Sequence, residues 1–238
     1  MPDALDYLIL AAHPDDAELF CGGTIIKMRE LGYSVGILDF SRGEAATCGT
    51  VEMRDAETVA ADAILQPAWR ANLCLPDSNL RDNDATRRLV VDIIRQFRVK
   101  MLIAPVDSCR HPDHAAVAAV ARNASFFAGA GTFPSDYAPW RPQGLIRHPE
   151  YEDVPSSFVV DISSQYVAKM AATACYASQF YTSATGEKPT IAGSRRFYER
   201  MVSRFRHYGN LAGVEYGEPF IADGQLRVED PLRHVGVR

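Results

Sequence analysis

The tripeptide His-Pro-Asp occurs twice, about a hundred residues apart, each time behind an apolar run. Tyr7-Leu8-Ile9-Leu10-Ala11-Ala12 leads into His13-Pro14-Asp15-Asp16, and Met101-Leu102-Ile103-Ala104-Pro105-Val106 leads to His111-Pro112-Asp113-His114. Such runs read as buried strands, and strand ends are where open α/β sheets hold their chemistry. His13, Asp16 and His114 offer two imidazoles and a carboxylate, a set suited to zinc with a fourth position open. Asp15 lies beside this set without being needed in it. It is free to take the proton of a water whose pKa a metal lowers from about 15.7 towards about 7. His111 precedes His114 by three residues at a helix start, a spacing that puts both near one face. That places His111 to stabilise an oxyanion or protonate a leaving amine, with Asp113 to orient it. His148, His207 and His234 lack this context and read as surface residues.

These residues need elements to position them. Helical spacing of Leu19, Ile25, Ile26 and Leu31 predicts a helix over 17–31 that stops at Gly32. A strand follows over 34–40, then a loop over 41–50, a helix over 53–65, a strand over 71–75, a helix over 85–97 and the strand 101–106. A fourth helix runs from Pro112 to about Phe127, its proline suited to the first turn. Strand–helix alternation of this kind predicts an α/β fold, a Rossmann-like and mostly parallel sheet with helices on both faces. In the doubly wound order 3-2-1-4, strands one and four are neighbours, about 4.8 Å apart, and both His-Pro-Asp turns can reach one ion. Residues 128–156 lose the pattern and read as an excursion shaping the pocket rim, with one short strand near Leu145-Ile146. Beyond it the sequence predicts a strand over 157–162, a helix over 165–178, a basic helix over 194–208 and a last strand over 214–221.

With 238 residues, 47% of them hydrophobic, the chain is long enough for one sizeable domain, 1–238, and short for two. A net charge of −5 gives no reason to expect nucleic acid or an anionic membrane. No apolar stretch is long enough to span a bilayer, and Met1-Pro2-Asp3 does not begin a secretion signal, so the expected location is cytoplasmic. Five scattered cysteines without a Cys-x-x-Cys pair suggest reduced thiols. A nucleotide-binding protein without hydrolytic activity is the competing class. It would use Gly22-Gly23-Thr24 as a phosphate contact, but neither Gly-x-Gly-x-x-Gly nor a Walker-type loop is present.

Ala12-His13-Pro14-Asp15-Asp16-Ala17-Glu18 and His111-Pro112-Asp113-His114 resemble the two motifs of the PIG-L/LmbE-type zinc-dependent de-N-acetylases. The resemblance extends through Gly22-Gly23-Thr24, Arg42-Gly43-Glu44-Ala45, Glu52-x-Arg54, Pro76-Asp77, Tyr176-x-Ser178-Gln179-Phe180 and Gly213 to Phe220. It implies one Zn2+ per chain on His13, Asp16 and His114, with Asp15 as general base and His111 in transition-state stabilisation. Iron(II) or cobalt suits the same ligands. Arg54 matches a family arginine facing substrate, and Asp77 matches a carboxylate suited to sugar hydroxyls. Arg110, next to the second motif, is placed to meet a substrate carboxylate. Where some relatives carry a helper tyrosine this chain has Phe197, with Tyr198 adjacent. Glu18 and Glu44 read as support. The late segments look most like the branch that deacetylates N-acetylglucosaminyl-malate in bacillithiol biosynthesis. The implied activity is therefore hydrolysis of an N-acetyl group from a small amino sugar conjugate. Chitooligosaccharides, a mycothiol-type precursor or a natural-product glycan are alternative substrates. The resemblance also implies a homo-oligomer, hexamers among them.

Overall fold

The computed structural model describes residues 2–150 and 154–227, so His234 and Tyr151 lie outside the described residues. In chain order the elements are β1 (Tyr7–Ala11), α1 (Asp16–Glu30), β2 (Val35–Asp39), α2 (Val51–Leu65), β3 (Trp69–Asn72), α3 (Asp84–Gln96) and β4 (Met101–Pro105). They continue with α4 (Pro112–Ala128), β5 (Gly144–His148), β6 (Phe158–Asp161), α5 (Tyr166–Ala174), α6 (Arg195–Ala212) and β7 (Gly217–Ala222). One seven-stranded sheet has the order β3-β2-β1-β4-β5-β7-β6. The first five strands are parallel neighbours, while β7 runs antiparallel to both β5 and β6.

Both faces of the sheet are covered, which explains why its central strands β1, β2 and β4 are mostly apolar. Ile9 and Ala11 of β1 belong to one core cluster with Ile37 and Ile103. Leu8 and Leu10, pointing the other way, join Leu38, Leu102 and Ala104 in the second. Helix α1 presses so closely on the sheet side that a Cβ on Gly23 would sit 2.7 Å from Ile162 side-chain atoms. That approach requires glycine.

Element edges move where local chemistry decides them. Helix α2 starts at Val51 rather than Met53 because the Thr50 side chain accepts the Met53 N–H and caps it. Strand β3 is Trp69–Asn72, pairing with Gly36–Asp39, and the chain then turns through Cys74 at φ +52°. Helix α5 ends at Ala174 and β7 begins at Gly217, both shifted from the sequence reading.

The excursion after α4 does not line the pocket over 128–143. Arg95 of α3 gathers it, donating to the carbonyls of Phe127, Ala128, Ala130, Phe133 and Tyr137. Trp140 Nε1 donates to Val99 O, just ahead of β4 and thus away from the strand ends that carry the His-Pro-Asp turns. No helix among the described residues is long and apolar enough to cross a membrane.

Candidate metal centre

Parallel pairing of β1 with β4, with Ile9 opposite Ile103, delivers both His-Pro-Asp turns to the same edge of the sheet. There His13 Nδ1, Asp16 Oδ2 and His114 Nε2 form a near-equilateral triangle. The sides are 3.5 Å (His13 to Asp16), 3.4 Å (His114 to Asp16) and 3.3 Å (His114 to His13). Donors about 2.1 Å from a common tetrahedral ion are roughly 3.4 Å apart. The triangle thus has the dimensions of one face of such a site. Two neutral imidazoles and one carboxylate are also the donor types a borderline cation takes.

The far sides of the ligands are held as well. His13 Nε2 meets Asp77 Oδ1 at 3.0 Å and Asp113 Oδ2 at 3.4 Å. Asp77 Oδ2 accepts the Ala45 N–H, and Asp77 N donates to Glu44, which ties the 41–50 loop to the centre. Burial alone would raise the Asp77 carboxyl. The His13 contact and the Ala45 and Ser78 amides outweigh it and hold the group well below the usual carboxylate range. His114 Nδ1 lies 2.5 Å from Glu150 Oε2.

Asp15 opens α1 at φ 131°, a left-handed value that a residue with a Cβ rarely adopts. Its Oδ2 accepts from Arg54 Nη1 at 3.0 Å, and the same nitrogen donates to Pro14 O at 2.7 Å. Burial pushes the Asp15 carboxyl up to about 7, against the pull of the Arg54 charge. Gly43, at φ +69°, lets the loop cross the Arg54 guanidinium, which a Cβ there would approach to 3.2 Å. His111 caps α4, its Nδ1 accepting the Asp113 N–H at 3.3 Å. In the neutral ring that leaves the hydrogen on Nε2.

A polar cavity of about 260 Å³ is lined by His13, Asp15, Asp16, Arg54, Asp77, His111 and His114, among others. The sequence-nominated residues therefore converge, except for Arg110. The Asp113 carboxylate does not orient His111: it accepts the Ser78 and Leu80 amides, and only its backbone N–H reaches the His111 ring. Arg54 spends its Nη1 on Asp15 and Pro14, and both Asp77 oxygens are already engaged. Arg110 is exposed and outside the cavity wall. The rim is built instead by the 43–47 loop and Gln179-Phe180, with Gln179 Nε2 donating to Cys48 O. Phe197 and Tyr198 line a separate apolar hollow next door, sharing Leu19, Phe180 and Ala192 with the main cavity.

Two residues were missed by the sequence reading. His148, expected at the surface, is 2% exposed and stacks on Phe20 with centroids 5.4 Å apart. Glu150 is 1% exposed. His148 ends the short strand β5 and Glu150 follows it; the parallel register beside β4 brings His148 opposite Pro105, and no periodicity in that segment signals it.

Residues 8–125 match the model of the family PIG-L, GlcNAc-PI de-N-acetylase. A 1D-myo-inositol 2-acetamido-2-deoxy-alpha-D-glucopyranoside deacetylase from Gordonia bronchialis is 24% identical over 259 residues, spanning 79% of this chain and 88% of its own. The conserved protein TT1542 from Thermus thermophilus is 36% identical with a TM-score of 0.86, covering 94% of this chain and 98% of its own. The N,N'-diacetylchitobiose deacetylase from Pyrococcus horikoshii shares the fold, with 22% identity and a TM-score of 0.79 over 92% of this chain and 84% of its own. The chain belongs to the PIG-L family and is a hydrolytic de-N-acetylase.

Proposed function

We propose that the protein is a zinc-dependent hydrolase that removes the N-acetyl group from a small N-acetylglucosaminide, with N-acetylglucosaminyl-malate of bacillithiol biosynthesis as the preferred substrate. The observation that carries this reading is the triangle of His13 Nδ1, Asp16 Oδ2 and His114 Nε2, with Asp15 and His111 on the same cavity wall. A divalent ion on those three atoms would supply Lewis acidity to the acetamide carbonyl and lower the pKa of water.

The remaining steps belong to side chains. Asp15 accepts the proton of the attacking water and returns it to the departing nitrogen. Arg54 keeps the Asp15 carboxylate aimed while it does so. His111, with Nδ1 committed to the Asp113 amide, presents Nε2–H to the carbonyl oxygen as charge develops there. Asp77 and Asp113 keep His13 from turning. An open cavity of about 260 Å³ suits a sugar headgroup whose conjugated part extends past the 43–47 rim.

The resemblance of the 213–220 segment supports the malate conjugate, and the Gordonia relative's name supports an inositol conjugate as the second reading. Acetate release from N-acetylglucosaminyl-malate, the inositol conjugate and N,N'-diacetylchitobiose by the metal-loaded protein decides between them. Fastest kcat/KM on the malate conjugate is the expected result; equal or faster turnover of another substrate overturns the assignment. Elemental analysis after expression tests zinc against iron or cobalt. A homo-oligomer, hexameric by resemblance, belongs to the same reading, and light scattering tests it.

A further inference from the structure

We infer that Glu150 is a positioning residue for the metal centre: it holds His114 in the tautomer whose Nε2 lone pair faces the ion, and its charge sets how tightly the ion is bound. Glu150 lies outside the residues matched by the family model. Its Oε2 is 2.5 Å from His114 Nδ1 and 2.6 Å from Cys109 Sγ. With Nδ1–H donating to a carboxylate, the lone pair must be on Nε2, the corner of the triangle.

Cys109, His114 and Glu150 are themselves a group of metal-ligand types within 4.8 Å of one another. Their spacing argues against a second ion. Two donors on one ion stand roughly 3 Å apart or more, as at the triangle. The 2.5 Å N···O separation instead marks a hydrogen that the ring gives to the carboxylate, and the Cys109 thiol donates to the same oxygen.

The described ion-pair contacts of Glu150 are His114 and, at 3.8 Å, His148. Oε1 and His148 Nδ1 have no hydrogen-bond partner among the described residues, although both side chains are buried. A carboxylate behind the ring makes the imidazole a stronger donor to the ion.

Glu150→Gln keeps the shape and removes the charge. Competition with a chromophoric chelator should show zinc bound about 10- to 100-fold more weakly than by the parent. The visible spectrum of the cobalt(II)-loaded variant should shift with the weakened donor. A zinc dissociation constant within about twofold of the parent overturns the inference, as does an unchanged cobalt(II) spectrum. Should Glu150→Gln fail to fold, Cys109→Ala removes the competing donor on Oε2 and should tighten zinc binding; weaker binding overturns the inference. The inference rests on His114 holding the ion. If His114→Ala retains full metal, that ligand assignment fails; if it is metal-free while Glu150→Gln binds normally, only the role of Glu150 fails.

Discussion

Arg54 Nη1 sits 3.0 Å from Asp15 Oδ2 and 2.7 Å from Pro14 O, so the arginine grips both the side chain and the turn that carries it. Its side chain is only 5% exposed, which leaves it better placed to steady Asp15 than to meet a mobile substrate charge. Arg54→Met should therefore lower kcat by roughly 100-fold, the cost of a misplaced catalytic group. KM should change little. Steady-state kinetics on the best substrate of the panel checks this, and a raised KM with intact kcat would return Arg54 to substrate binding.

Asp15 itself is held at φ 131°. Asp15→Asn keeps the fold and all three triangle atoms, so it should bind zinc stoichiometrically and lose roughly 100- to 10,000-fold in turnover. Near-normal turnover would show that another group is the base. Asp15→Gly should melt higher than Asp15→Ala by an amount worth about 1–3 kcal/mol, because only glycine occupies this backbone region without strain. Calorimetry on the two variants reads the difference directly.

Asp39, fully buried on β2, shows how ionisation away from the centre shapes stability. Burial pushes its carboxyl from 3.8 up to about 6, even with Arg70 Nε 2.8 Å away. A carboxyl with a higher pKa in the folded state binds its proton more tightly there. Its contribution is therefore favourable at low pH and is lost as pH rises from about 4 to about 6. In chelator-treated protein, the melting point of Asp39→Asn relative to the parent should rise across that window. A constant difference would mean that Arg70 holds Asp39 ionised throughout.

The triangle was legible in the sequence because its residues flank two apolar runs, and the doubly wound order makes those runs neighbours. Glycine and proline punctuation placed most helices for the same local reason. Contacts made across long separations were not legible. Glu150 reaches His114 over 36 residues from a stretch without periodicity. Asp77 reaches His13 over 64 residues, a contact that no local pattern signals. Arg95 lies on a helix that reads as amphipathic, where an arginine resembles a solvated charge. Its five N–H bonds to carbonyls instead order the excursion after α4.

Lys169 and Glu218 carry the same lesson into stability. Glu218 lies in the segment whose sequence resembles the family, yet its carboxylate faces the core rather than the cavity. It accepts the Gly23 and Thr24 amides, the Thr24 hydroxyl and, at 2.5 Å, Lys169 Nζ. Lys169 also donates to Leu19 O and stands 4.1 Å above the Phe205 ring. Both side chains are fully buried, so the pair clamps α1, the helix that begins with Asp16, against α5 and β7. Lys169→Met leaves an unpaired buried carboxylate and should cost about 3–5 kcal/mol. Adding Glu218→Gln removes the stranded charge but keeps an acceptor for the amides. The double variant should therefore be more stable than Lys169→Met alone. Urea unfolding of the parent, single and double variants tests this, and a double variant less stable than the single would show that the Glu218 charge is satisfied by α1 without the lysine.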